Sequence, residues 1–295
     1  MDLKEIKNIK PFLSVIVPAH NEEKFIAELL RALVHQKCPV SWELIVADNN
    51  SSDRTREIVR RFMGIVPNMT MVNATEKQSP GYARNVGAYK AEGQVFAFCD
   101  AHVVVAEGWI AAMYKALTGH DFVTGLMEFE KLNKPSKLSK PFNNGSRFKF
   151  MGYLPFAGGA NMGISKRAFN AVGGFSEDII IGEDADISFR LQLAGYTLYD
   201  AEDAVVYVRY RETNIEKIKQ NIAYGKAHVL LYKKFASKGF PRRGLREGFK
   251  TYKRLGRNAH RVVLGSSKER QQWLQSAAAN WGRFSGSLKY RTLYL

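Results

Sequence analysis

The first hundred residues alternate short apolar runs with segments of helical periodicity. Residues 12–17 form an apolar run of strand length closed by Pro18, and residues 22–35 carry Ile26, Leu29, Leu30 and Leu33 at helical spacing. Residues 43–47 read as a second strand. Ser51, Ser52 and Asp53 then offer capping groups to a helix through Phe62, with Ile58, Val59 and Phe62 facing inward. A third strand is predicted over 69–72, a helix over 81–91 and a fourth strand over 94–99. Continuous apolar strands alternating with helices predict a parallel sheet covered on both faces. Ligands of such sheets bind beyond the carboxyl ends of the strands. That rule selects residues 18–22, 48–53, 78–85 and 100–102.

Beyond Trp109 the pattern is mixed. A helix near 109–117 precedes a strand over 121–126, and residues 131–144, rich in Lys, Pro, Ser and Asn, read as a loop. A further helix is expected over 166–172, a Gly-Gly turn at 173–174, and an acidic segment at 182–186 ahead of a helix over 187–194. Short strands are expected at 196–199 and 204–208. From about residue 211 the chain reads as helical and basic, with a break near 239–244. No internal repeat interrupts this order.

Charge changes the picture in one place. The net charge is +16. Residues 211–295 hold 20 Lys and Arg against 4 Asp and Glu, whereas residues 1–210 hold 24 of each. The whole excess therefore lies in the last 85 residues, and such a block attracts polyanions. There, cations interleave with Tyr232, Phe235, Phe249, Tyr252 and Leu255, the habit of an amphipathic helix on an anionic membrane surface. A solvated helix packed on the core has the same pattern. Nucleic acid is not the expected partner, because no recognised binding motif is present. The two cysteines, Cys38 and Cys99, sit among apolar residues and read as buried thiols of a reducing compartment. With no signal-peptide pattern and no apolar run of about 18 residues, the expected location is the cytoplasm, which is compatible with a peripheral position on a membrane.

Four polar clusters carry the candidate chemistry. Asp100 and His102 follow an apolar strand two residues apart and fall on the same side of an extended segment. A carboxylate and an imidazole can together ligate a divalent metal, although such a tripeptide can also simply end a strand. Glu183, Asp184 and Asp186 crowd the start of a helix. The helix dipole accounts for one or two acids there, and a third leaves room for a general base. Gly81 to Asn85 open a helix with a glycine and Arg84, which suits a phosphate oxygen. His20, Asn21 and Glu22, with Asp48, Asn49 and Asn50, end two strands. They can stack on and hydrogen-bond a base, or merely form Asx turns.

Taken together, the segments SVIVPAHNE (14–22), ELIVADNNSSDRT (43–55), GYARNVGAYKAEGQVFAFCDAH (81–102) and residues 159–196 resemble family 2 glycosyltransferases in order and spacing. The resemblance spans residues 12–210. It implies an α/β GT-A fold over 1–210, with a nucleotide-binding half to about 105 and an acceptor half from about 106, followed by a basic helical region at 211–295. It also implies transfer of a sugar from a nucleoside diphosphate (UDP, GDP or dTDP) to a hydroxyl acceptor, free or lipid-linked, with inversion. Carried over by position, Pro18, His20, Glu22, Asp48 and Asn49 line the nucleotide pocket, Arg84 approaches the diphosphate, and Ala101 lies with Asp100 against the donor. Asp100 and His102 hold Mn²⁺ or Mg²⁺, Asp184 is the base, and Glu183 contacts the acceptor.

Two departures stand out. Asp-Ala-His replaces the family's Asp-x-Asp, similar to the Asp-x-His of polypeptide N-acetylgalactosaminyltransferases, and imidazole favours Mn²⁺ over Mg²⁺. Residues 205–208 read Val-Val-Tyr-Val where relatives often carry a metal-binding His, which leaves His228 as a candidate ligand. Two other readings stay open at this point. A nucleotidyltransferase would need a glycine-rich loop after the first strand, and PAHNEEKF is not one. A non-catalytic sugar-nucleotide or nucleic-acid binding protein would not need the acidic cluster.

Overall fold

The computed structural model describes residues 11–66, 68–133, 146, 148–210 and 213–295. The predicted loop at 131–144 falls almost wholly outside these residues. The chain divides into two compact units, one of residues 1–150 and 154–209 and one of residues 151–153 and 210–295.

The first unit is built on eight strands: β1 (Leu13–Ala19), β2 (Trp42–Asp48), β3 (Met69–Asn73), β4 (Val95–Phe98), β5 (Val104–Val105), β6 (Phe122–Glu128), β7 (Met162–Ser165) and β8 (Leu198–Tyr207). They form one sheet in the order β3-β2-β1-β4-β7-β6-β8-β5. The β3-β2-β1-β4 half is parallel throughout, as expected. Beyond it the sheet is mixed, because β7 runs antiparallel to both β4 and β6, and β5 antiparallel to β8.

Strand alternation sends neighbouring side chains to two apolar layers. Val15, Val17, Leu44 and Val46 pack with α1 (Ile26–Val34), α2 (Thr55–Phe62) and α4 (Trp109–Gly119). Ile16, Ile45, Phe96 and Phe98 pack with α3 (Pro80–Lys90), α5 (Lys166–Ala171) and α6 (Glu183–Leu193). Each fully buried Leu, Ile or Val contributes roughly 1.5–3 kcal/mol. Gly87 lets α3 approach the sheet, since a Cβ there would stand 2.6 Å from Ile16 Cγ2.

Two local expectations change. The predicted cap of α2 is displaced: Arg54 takes the N-cap position without a side-chain bond, and Asp53 accepts from the Thr55 amide at 2.9 Å. The two predicted strands after residue 196 are one strand, broken by a register shift in which Gly125 pairs with Ala201 but Leu126 with Val205. Asn161, 1% exposed, fills the irregularity. Its Nδ2 donates to Leu126 O at 3.0 Å and Ala204 O at 2.7 Å, while its Oδ1 accepts from the Trp109 indole at 2.9 Å.

The second unit contains α7 (Asn214–Phe235), α8 (Leu245–Arg257) and α9 (Ser267–Lys289). Thr213 with Glu216 and Ser266 with Glu269 form capping boxes at α7 and α9. Glycines set the crossing of α7 and α9: a Cβ on Gly225 would strike Ala279 O, and one on Gly282 would strike Ile222 O. His228 is half-buried in this unit, where desolvation and the Arg283 and Arg243 cations push its pKa down to about 4. Among the described residues no helix is long and apolar enough to cross a membrane.

Candidate active site

The carboxyl ends of β1, β2 and β4 and the first turns of α3 and α6 carry the polar clusters. At the end of β1 the His20 ring is exposed, and its Nδ1–H donates to Asn49 O at 2.7 Å. Gln78 Nε2 donates to the other ring nitrogen at 3.0 Å. The imidazole is thereby fixed through both ring nitrogens while it stays exposed, able to stack on a planar ring. Pro18 lies within β1 opposite Ala47.

Asp48 is 1% exposed. Its Oδ2 lies 3.0 Å from Arg56 Nε, and its Oδ1 is buried with no hydrogen-bond partner among the described residues. An orphaned buried carboxylate oxygen is costly unless a ligand donor reaches it. Asn49 Nδ2 donates to Ala74 O and to Lys77 O at 2.7 Å, and its Oδ1 accepts from the Ser79 amide at 3.0 Å. The side chain is thereby engaged in folding the loop before α3.

The Glu22 carboxylate stands 3.4 Å from His102 Nδ1, while the Glu22 amide donates to Thr55 Oγ1 at 2.8 Å. A carboxylate behind one ring nitrogen is the arrangement that orients metal-ligating histidines. Arg209 Nη1 fixes the same loop by donating to His102 O at 3.0 Å. Ala101 is buried in the core layer of α1 and α4.

Arg84 is 3% exposed, and both of its terminal nitrogens are engaged by acids. Nη2 donates to Asp100 Oδ1 at 2.6 Å and Nη1 to Glu183 Oε1 at 2.8 Å. The guanidinium also lies 5.4 Å from the centre of the Phe175 ring. Gly159 makes room for it, since a Cβ there would stand 2.6 Å from Nη2.

The acids at the start of α6 divide in role. Asp186 is fully buried and accepts from Ser176 Oγ at 2.6 Å and from Arg190 Nε at 2.8 Å, the expected i,i+4 pair. Burial and the neighbouring Asp184 charge push Glu183 up to about 7 against the opposing pull of Arg84. Burial likewise raises Asp184, which accepts from the amides of Ala185 at 2.8 Å and Gly159 at 3.3 Å. Asp184 is more exposed than Glu183.

Asp100 and His102, with side chains 22% and 28% exposed just beyond β4, are the oxygen and nitrogen donors that would face a divalent cation. Among the described residues no three His, Cys, Asp or Glu side chains form a closed cation site. Two protein ligands leave an ion's other positions to ligand oxygens and water, the open arrangement of a site shared with substrate. Sequence reasoning missed the bridging role of Arg84 and the bracing roles of Asn161 and Arg209; only the glycines at 125 and 159 hint at such crowding.

A family model described as Glycosyl transferase family 2 matches residues 14–173, and one described as Glycosyl transferase family group 2 matches residues 143–250. Glycosyltransferase AglE of Haloferax volcanii is 30% identical over 227 residues, 75% of this chain and 74% of that protein. Among solved structures, mannosyltransferase PcManGT from Pyrobaculum calidifontis in complex with GDP-Man and Mn²⁺ superposes with a TM-score of 0.64 at 19% identity, covering 96% of this chain and 87% of that one. S. aureus TarS 1-349 in complex with UDP-GlcNAc gives a TM-score of 0.55 at 20% identity over 97% and 93% of the two chains. At such identities these two similarities establish the GT-A fold.

Proposed function

The chain belongs to glycosyl transferase family 2 and is a sugar-transferring enzyme; from that premise we propose that it moves a sugar from a nucleoside diphosphate to an acceptor hydroxyl with inversion, aided by a divalent cation. The observation that carries this reading is the Arg84 bridge, which joins the acid ending β4 to the acids opening α6. Donor-side and acceptor-side groups are thereby locked in one network.

In the proposed reaction the exposed His20 ring stacks on the base, and the orphaned Asp48 oxygen accepts from the nucleoside. Asp100 and His102 would hold Mn²⁺ or Mg²⁺, which when bound offsets the charge of the departing diphosphate. Asp184 takes the proton of the acceptor hydroxyl as its oxygen bonds to the anomeric carbon. The bond from that carbon to the diphosphate oxygen breaks on the opposite face, and the diphosphate leaves with the electron pair. Arg84 keeps Glu183 and Asp100 in register for this geometry.

The helical unit supports a place on an anionic membrane surface, where a lipid-linked acceptor would be found. Phe249, 70% exposed, shares α8 with Arg246, Lys250 and Lys253, and Leu264 beyond that helix is 81% exposed. Thermal denaturation with UDP, GDP and dTDP, each with and without Mn²⁺, tests the donor assignment. Stabilisation by one nucleotide that depends on Mn²⁺ is expected. Absence of stabilisation by any of the three would refute it.

A further inference from the structure

We propose that the helical unit carries a second anion site, a hollow between α7, α8 and α9 in which Arg243, Arg254, Arg261 and Arg283 take a phosphate or diphosphate group. The hollow has a volume of about 650 Å³ and is lined by these four arginines with a single carboxylate, Glu269. That carboxylate is committed elsewhere: it accepts from the Ser266 amide at 3.1 Å as part of the α9 cap and reaches only to 3.9 Å from Arg261.

Arg283 is the built part of the site. It is 8% exposed, and the glycine crossing at Gly225 and Gly282 presses its backbone against α7. Nη2 donates to Asn280 Oδ1 at 2.7 Å, whereas Nε is buried with no hydrogen-bond partner among the described residues. No carboxylate pairs with Arg283 among the described residues. A buried guanidinium is ordinarily matched by an anion. Arg243 donates to a Leu295 oxygen at 2.9 Å and to Thr251 Oγ1 at 3.4 Å, while Arg254 stands exposed at the rim. Burial first, and then the Arg283 and Arg243 cations, hold the neighbouring His228 neutral. Several guanidinium groups converging on one hollow recognise phosphate oxygens through paired N–H donors.

The phosphate can belong to a soluble ester or to a lipid headgroup, and two probes separate these sources. The first is calorimetric titration of the full chain with inorganic pyrophosphate, in chelator and on an Asp100→Ala background that silences the donor site. The second is co-sedimentation with vesicles of phosphatidylcholine, alone or with phosphatidic acid. Arg254→Glu and Arg261→Glu lie at the rim and leave the helix packing intact; each should weaken pyrophosphate binding by about tenfold or more. Arg283→Met should abolish it, with far-UV circular dichroism as the check on folding. If phosphatidic acid vesicles show the same arginine dependence, the phosphate is a headgroup; if only pyrophosphate does, it is a soluble ester. Binding of both probes that is indifferent to Arg254→Glu and Arg261→Glu in a folded chain overturns the proposal. It does not depend on the glycosyl-transfer reading.

Discussion

Arg84 Nη1 donates to Glu183 Oε1 at 2.8 Å, so a cation rooted in α3 is shared with the first residue of α6. Its other terminal nitrogen holds Asp100, and its Nε is buried without a partner among the described residues. A guanidinium reaches both acids because its donors diverge in one plane. An ammonium is a single point and cannot span them.

Removing the cation should therefore be severe. Arg84→Met leaves two carboxylates without their counter-charge, and loss of one partner of a buried ion pair costs about 3–5 kcal/mol. Arg84→Lys should recover little of that stability. Urea denaturation of both variants measures the difference, and a lysine variant as stable as the parent would contradict the bridging role.

Gly159→Ala approaches the same contact from the other side. Its methyl would fall 2.6 Å from Arg84 Nη2, and the guanidinium would have to leave at least one acid. Donor binding in Mn²⁺ should fall along with turnover, because the displaced nitrogen is the one tied to Asp100, while Nη1 holds Glu183. Unchanged donor binding and turnover would argue against this account.

Asp100→Ala removes half of the proposed cation site. The variant should stay folded, since Glu183 still faces Arg84, but Mn²⁺ should no longer enhance binding of UDP or GDP. Isothermal titration with and without chelator checks this. Unchanged affinity under both conditions would remove Asp100 from the metal site.

Much of this arrangement was legible in the chain. The alternation of β1 through β4 with helices, and the placing of polar clusters at strand ends, follow from local periodicity, which one segment carries by itself. What was not legible depends on residues far apart in sequence. Arg84 meets Glu183 across 99 positions and Asn161 meets Trp109 across 52. A polar residue's partner determines whether it is a ligand or a brace, and no local pattern names that partner. Asn49 and Glu22 stand at the expected strand ends, yet one braces a loop and the other faces His102. The antiparallel β7 was hidden for a similar reason: four buried residues, Met-Gly-Ile-Ser, read the same in either direction.

Asn161→Ala should destabilise the first unit without touching the proposed chemistry. The Trp109 indole N–H and the carbonyls of Leu126 and Ala204 would be left buried and unpaired. Each such group costs roughly 1–3 kcal/mol, so a loss of several kcal/mol is expected, read as a lowered melting temperature. A change under about 0.5 kcal/mol, the scale of ordinary surface substitutions, would mean that water or local rearrangement replaces the amide.

Asp184 tests the proposed base, and pH supplies a second reading of it. Glu183 and Asp184 are adjacent acids, one buried and one half-buried, both raised by desolvation, with Glu183 pushed up to about 7. Between the usual carboxylate range and about 7, the folded pair holds a proton that the unfolded chain would release. Stability should therefore fall as pH rises through this window. Activity should run the opposite way, because a base must be deprotonated: kcat/KM should climb as pH rises toward 7, with a midpoint belonging to the pair. Asp184→Asn keeps size and shape but removes basicity, and turnover should drop roughly 10²-fold or more, the scale of lost general-base catalysis. Donor binding should survive, since the Arg84 contacts to Asp100 and Glu183 are untouched. Glu183→Gln should instead remove the step near 7 from the pH profile and leave a single titrating carboxylate. Full turnover in Asp184→Asn, together with its loss in Glu183→Gln, would transfer the role of base to Glu183.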